Sequence, residues 1–176
     1  MANILVIGGS GFLGSHIADE LTDIGHKVTI FDREKSLYLK KNQKMIVGDM
    51  LDKKEVMKAC KNKDILYHFG ATADIDESSK QPFLTINNNI MGTVLAIEAA
   101  IKNKIKRFVY SSTLYVHNDK GSFYGTSKIA CENLLHDYHN KFNFNYTILR
   151  YGSLYGPRAQ TWNSINKLIT QAIKKG

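Results

Sequence analysis

The chain has 176 residues, 43% of them hydrophobic and only two of them proline, enough to bury a sizeable core near the usual size of one domain. Its formal charge of +8 raises nucleic acid as a partner, but the lysines between Lys35 and Lys63 spread over a loop and a helix without interleaved aromatics, which reads as a solvated basic face, not a nucleic-acid site. Cys60 and Cys131 are far apart and lack metal-ligand spacing, and no apolar run approaches the ~20 residues needed to cross a bilayer; reduced thiols, no structural metal, no membrane and a cytoplasmic location are expected.

Ile4 to Ile7 reads as a strand that runs into Gly-Gly-Ser-Gly, and Phe12, Leu13, Ile17 and Leu21 then recur at helical spacing. Gly25 closes that helix, and Lys27 to Phe31 forms a second strand ending at Asp32. Met45 to Val47 suits a third strand, Asp52 to Cys60 a helix and Asp64 to Phe69 a fourth strand. The polar stretch with Asp74, Asp76 and Glu77 reads as a loop, after which Pro82 opens a long helix to about Asn103. Phe108 to Ser111, the helix from Tyr124 to about Phe142, Tyr146 to Arg150 and an amphipathic helix from Ser164 to Lys175 complete the series. Strands alternating with helices throughout predict an α/β fold: a doubly wound parallel sheet of Rossmann type, with its ligand beyond the carboxyl ends of the strands.

Gly8, Gly11 and Gly14 lie between the first strand and the first helix, where glycine lets backbone approach a pyrophosphate and the helix N-terminus offers free amides. Asp32, about 20 residues on, fits the acidic partner of a ribose and favours NAD over NADP, although the adjacent Arg33 could pair with a 2′-phosphate. Tyr124 and Lys128 form YxxxK on one helical face, so the ammonium can assist a phenol that is otherwise too weak an acid near neutral pH. Thr113, at the carboxyl edge of the sheet, could hydrogen-bond the reacting oxygen of a substrate. His136 and His139, three apart on a helix, read as a solvated face, and His16, His26 and His117 carry no motif.

Taken together, GGSGFLG, the Asp32 strand end, GDM at Gly48 to Met50, HFGA at His68 to Ala71, NIMGT at Asn89 to Thr93, SST at Ser111 to Thr113, YGTSK and LRYGSLYGPR at Leu149 to Arg158 resemble the extended short-chain dehydrogenase/reductase family, in its NAD-dependent epimerase/dehydratase branch. The resemblance implies that Thr113, Tyr124 and Lys128 are catalytic. It also implies that Gly8, Gly11, Phe12, Leu13, Gly14, Asp32, Arg33, Asp49, Met50, Phe69, Gly70, Ala71, Asn89, Ser111, Tyr124, Lys128 and Tyr151 surround the NAD cofactor. The implied activity is that of a nucleotide-sugar epimerase working through a ketosugar, with a dehydrogenase, reductase or decarboxylase of the same family, or a non-catalytic NAD-binding module, as alternatives.

Family dehydratases place an Asp-Glu pair directly after the threonine; Leu114 and Tyr115 stand there, which disfavours dehydration and, less strongly, decarboxylation. Ser153 occupies a position where many sugar epimerases carry an asparagine, and the approach from Thr113 to Tyr124 is short. By resemblance, residues 1–176 are the NAD-binding part, with the smaller substrate domain of the family largely absent. A homodimer is expected through the two long helices, whose apolar faces include Ile90, Val94, Ile97, Ala130, Leu134 and Leu135.

Overall fold

The computed structural model of the chain describes residues 1–175. Six strands, β1 (Asn3–Ile7), β2 (Lys27–Asp32), β3 (Lys44–Val47), β4 (Ile65–His68), β5 (Arg107–Thr113) and β6 (Tyr146–Tyr151), form one parallel sheet in the order β3-β2-β1-β4-β5-β6. The chain steps outward from β1 to β3, then returns to the other side of β1 to begin β4. The connections diverge above β1 and β4, which opens a crevice at the carboxyl ends of those strands.

β1 shows why its sequence is apolar without alternation. Ile4 and Val6 point to one face with Val28, Ile30 and Ala18, while Leu5 and Ile7 point to the other with Phe31, Leu66, Phe108 and Tyr110. Side chains alternate across a strand, so a sheet covered on both faces requires apolar residues at every position. The helix α1 (Phe12–Asp23) covers the first face; α2 (Lys53–Ala59), α5 (Gly92–Lys102) and α6 (Ser122–Phe142) contribute to the second cluster. Among the described residues, no helix is long and apolar enough to cross a membrane.

The predicted strands and most helices are present to within two residues at each end, with three differences. The buried face of α1 is Gly14, Ser15, Ala18, Asp19 and Thr22, whereas Phe12, Leu13, Ile17 and Leu21 are half-buried. Small side chains let the helix sit closely against the glycine turn, where a Cβ on Gly14 would run into the Gly8 carbonyl. The helix still ends as expected: Gly25 takes φ +91°, its amide bonds the Thr22 carbonyl and the His26 amide bonds that of Leu21, satisfying carbonyls left over at the helix end.

Second, the polar stretch before Pro82 contains a short helix, α3 (Ile75–Lys80), and is not a loop. The Asp74 carboxylate accepts from the amides of Asp76 and Glu77, and Ser79 Oγ meets Ser122 Oγ of α6 at 2.8 Å, so capping and side-chain hydrogen bonds hold a segment with one apolar residue. Third, the long helix from Pro82 is broken into α4 (Pro82–Ile86) and α5 by a π-helical turn at Asn87–Met91. That turn frees the Asn89 carbonyl, which accepts from Thr93 Oγ1 at 2.6 Å and Cys131 Sγ at 3.3 Å. The final helix, α7 (Ser164–Lys175), follows a long connection after β6.

Candidate active site

A cavity of about 630 Å³ lies over the carboxyl ends of the strands. Its floor is the turn after β1. Gly8 has φ +78°, a conformation in which a side chain is strained, and a Cβ there would collide with the Gly70 amide after β4. Gly11 caps α1 with no side-chain hydrogen bond, and no acidic residue lies in the first turn, so the leading amides at Phe12, Leu13 and Gly14 are left for an anion.

At one end of the cavity the Asp32 carboxylate is oriented by backbone: Oδ2 accepts from the Ser10 amide at 3.0 Å and Oδ1 from the Glu34 amide at 3.3 Å. Each oxygen retains capacity for a ligand hydroxyl. Arg33 lines the same end. Met50, Phe69, Gly70, Ala71 and Ser111 form the middle of the wall, and Thr113, Tyr124, Lys128 and Tyr151 lie at the other end.

α6 presents Tyr124 and Lys128 one turn apart. Lys128 Nζ donates to the Ser111 carbonyl at 2.8 Å, lies 4.7 Å from the centre of the Tyr110 ring and lies 5.6 Å from that of Tyr124. Burial lowers its pKa to about 8, against the opposing pull of Cys131 and Glu132. The phenol of Tyr124 moves upward, because burial outweighs the lowering influence of Thr113. The ammonium is held on the Ser111 carbonyl, with Tyr124 one helical turn before it. Thr113 belongs to β5 itself, as its last residue, and its Oγ1 accepts from the Tyr115 amide at 3.3 Å.

Two expected cofactor neighbours do not line the cavity. The side chain of Asn89 is buried and fully engaged: Oδ1 accepts from the Thr72 amide at 2.7 Å, and Nδ2 donates to the Thr72 carbonyl and to Ser127 Oγ. It shapes the wall by fixing the segment after Ala71. Asp49 turns back to cap its own loop, accepting from the Leu51 amide at 2.9 Å.

Sequence reasoning passed over a polar hub behind the catalytic candidates. Glu132, one helical turn beyond Lys128, accepts from Arg150 Nε at 3.1 Å, Arg150 Nη2 at 2.7 Å and Ser112 Oγ, while Arg150 Nη1 meets His117 Nε2 at 3.2 Å. One carboxylate thus ties α6 to the ends of β5 and β6 and to the turn after Thr113. The signal was its i+4 spacing from Lys128, which puts both on the same side of the helix. His68, beneath the cavity floor, is fully buried beside Thr93; burial, then Lys128, lowers its pKa to about 3. His139 is not a free surface group, since its Nδ1 is 2.8 Å from the Phe144 carbonyl. Among the described residues, no three His, Cys, Asp or Glu side chains are grouped to hold a metal.

A profile of the NAD dependent epimerase/dehydratase family matches residues 4–176. The chain belongs to the NAD-dependent epimerase/dehydratase family. Within it, the chain is 33% identical over 179 aligned positions to a UDP-N-acetyl-alpha-D-glucosaminuronate decarboxylase of Bacillus cytotoxicus, an alignment covering 89% of this chain and 56% of that protein. It is 32% identical to a UDP-glucose 4-epimerase of Rhizobium meliloti, with 85% of this chain and 51% of that one covered. Among solved structures, the UDP-glucose 4-epimerase of Thermus thermophilus in complex with NAD superposes with a TM-score of 0.88 at 28% identity, covering 97% of this chain and 61% of that one. This family member therefore spans about half the length of the curated relatives it matches.

Proposed function

We propose that the cavity binds NAD and that the chain performs the oxidation and reduction steps of a nucleotide-sugar 4-epimerase. The observation that carries this reading is the convergence, in one cavity, of the glycine turn, the oriented Asp32 carboxylate and the Thr113, Tyr124 and Lys128 side chains. The fit to a dinucleotide rests on the cradle itself: Gly8 and Gly14 leave no room for a Cβ, and the first turn of α1 has no side-chain cap competing for its amides.

Asp32 would accept hydrogen bonds from the adenosine ribose and repel a 2′-phosphate, which selects NAD over NADP. The amides at the start of α1 would hold the pyrophosphate. Lys128, anchored on the Ser111 carbonyl, keeps further N–H donors for the second ribose. When bound, NAD supplies the hydride acceptor and donor, oxidising the sugar carbon to a ketone and returning the hydride to the opposite face.

Tyr124 takes the proton of the sugar hydroxyl during oxidation and gives it back during reduction. Burial raises the pKa of its phenol in the polypeptide alone, so positive charge brought to the site together with Lys128 would favour its ionisation. Thr113, within the field of that phenol, orients the reacting oxygen. Leu114 and Tyr115 line the cavity just beyond Thr113, and neither offers a carboxyl for eliminating water. That favours redox epimerisation over dehydration.

The two long helices also support a second copy of this chain as partner. Ile97 and Leu135, named above for their apolar character, are spent on the intrachain core; the large apolar side chains left exposed there are Phe83, Leu84, Met91, Phe123, Ile129 and Phe142. Calorimetry with NAD and NADP tests the cofactor, with NAD binding at least tenfold tighter expected, a gap of about 1.4 kcal/mol. Conversion of UDP-glucose followed by product analysis tests the reaction. Equal affinity for both cofactors, or no binding of either, overturns the reading.

A further inference from the structure

The connection between β6 and α7 crosses the cavity as a strap, with Gly152, Ser153, Leu154, Gln160 and Trp162 on its wall. Two ties fasten it to α1. His16 Nε2 lies 2.9 Å from the Pro157 carbonyl, and Arg158 Nη2 donates to Asp19 Oδ2 at 2.8 Å. The Arg158 guanidinium also stacks 4.3 Å from the centre of the Tyr38 ring, and Asp19 Oδ1 accepts from Gln43 Nε2 at 3.0 Å. One ion pair therefore joins the strap, the pyrophosphate-facing helix and the loop that follows Asp32 and Arg33.

This junction is held at a cost. Arg158 adopts φ +69° although it is not glycine, and its Nη1 is buried without a partner among the described residues. Both would relax if the strap lifted. What opposes lifting is the shielded pair itself: the side chains of Asp19 and Arg158 are only 11% and 22% exposed, so water and salt weaken their attraction little.

We propose that Arg158 is a positioning residue that latches the 152–163 strap across the cavity and so sets how fast the dinucleotide leaves. The inference rests on the reading of the cavity as an NAD site. An elongated ligand lying between Asp32 and Tyr124 touches the strap and the first turn of α1, while the third joined segment follows directly on Asp32 and Arg33 at the cavity's end, so its withdrawal is slowed while the three stay fastened. Breaking the pair leaves the strap held to α1 by the His16 contact alone, without altering any group assigned to the cofactor.

Trp162, the single tryptophan of the chain, stands on the strap and lines the cavity, so energy transfer from it to NADH reports occupancy. In stopped-flow measurements on the whole chain, Arg158→Gln is expected to speed NADH release about tenfold while association changes little, the usual pattern when contacts formed after encounter are lost. Asp19→Asn should reproduce the effect, and the double variant should be no faster than either single one. Arg158→Lys, which keeps the charge but loses the planar fork and the stacking, should fall between. Should Arg158→Gln fail to fold, Tyr38→Leu must still accelerate release. Release at the wild-type rate in the folded variants, or additive effects in the double variant, overturns the latch and leaves the NAD reading standing; wild-type protein that binds no NADH sinks both.

Discussion

The first and last thirds of the molecule are built to different standards of closure. In β1 four of five residues are buried, and the turn that follows is fixed by steric collisions that exclude any side chain at Gly8 or Gly14. In β6 no residue is fully buried, and on α7 Leu168, Ile169 and Ile173 remain exposed. The end that holds the glycine turn is thus closed by the chain's own packing, formed by strands and a helix whose apolar groups are buried together while the leading amides of α1 stay open to the cavity. The end proposed to take the sugar is framed by surfaces with apolar area still in water, so cofactor binding should be robust to changes there while sugar handling should not.

The sharpest break of that contrast is Tyr124→Phe. It should lower turnover of UDP-glucose by about a thousandfold and leave NADH affinity within about twofold, because only the proton carrier is lost. Equal loss of both would merge the two ends into one functional unit.

Gly8→Ala attacks the closed end. Forcing a side chain into a left-handed position against the Gly70 amide should cost about 3 kcal/mol in urea unfolding and abolish measurable NAD binding.

Lys128→Met gives a pH-dependent test. A lysine with a depressed folded-state pKa destabilises while charged, and the unfolded chain binds the extra proton between about pH 8 and pH 10.5. The variant should therefore exceed the cofactor-free wild type by about 3 kcal/mol near pH 7, and the gap should close as pH rises through that window. The smallest expected effect is Asp32→Ala, which should weaken NAD about tenfold and, with the repulsion of a 2′-phosphate lifted, leave NADP no weaker, bringing the two together in calorimetry.

Much of the closed end was legible because its rules are local. A β-branched run, a glycine turn and a helix follow one another in sequence, and an acidic residue at the end of the next strand sits beside the turn by virtue of parallel pairing, as the register Ile7 with Phe31 shows. Where tertiary contacts decide, the sequence was less informative. The apolar stripe of α1 pointed to Leu13 and Ile17, yet close approach to the sheet selected the small residues. α3 was passed over for lack of apolar periodicity, although Asp74 and Glu77 stand at the spacing of a helix cap and its third residue. Asn89 lies in a recognisable motif, but its orientation depends on a π-helical turn that no residue pattern announced, and that turn commits its amide to Thr72 and Ser127 instead of the cavity. Glu132 and Arg150 are separated by 18 residues, and only the meeting of α6 with β6 makes them partners.

Cys60 and Cys131 are both buried, and the Cys60 thiol is pushed up to about 12 by desolvation. Neither sulfur can meet a maleimide or an aromatic disulfide while the protein is native, so reagent uptake by the unmodified chain becomes a clock for opening of the core. The same silence makes the native surface a blank background: a cysteine introduced at an exposed site such as Leu168 would be the one position to take a dye, giving a label on α7 without removing either natural thiol.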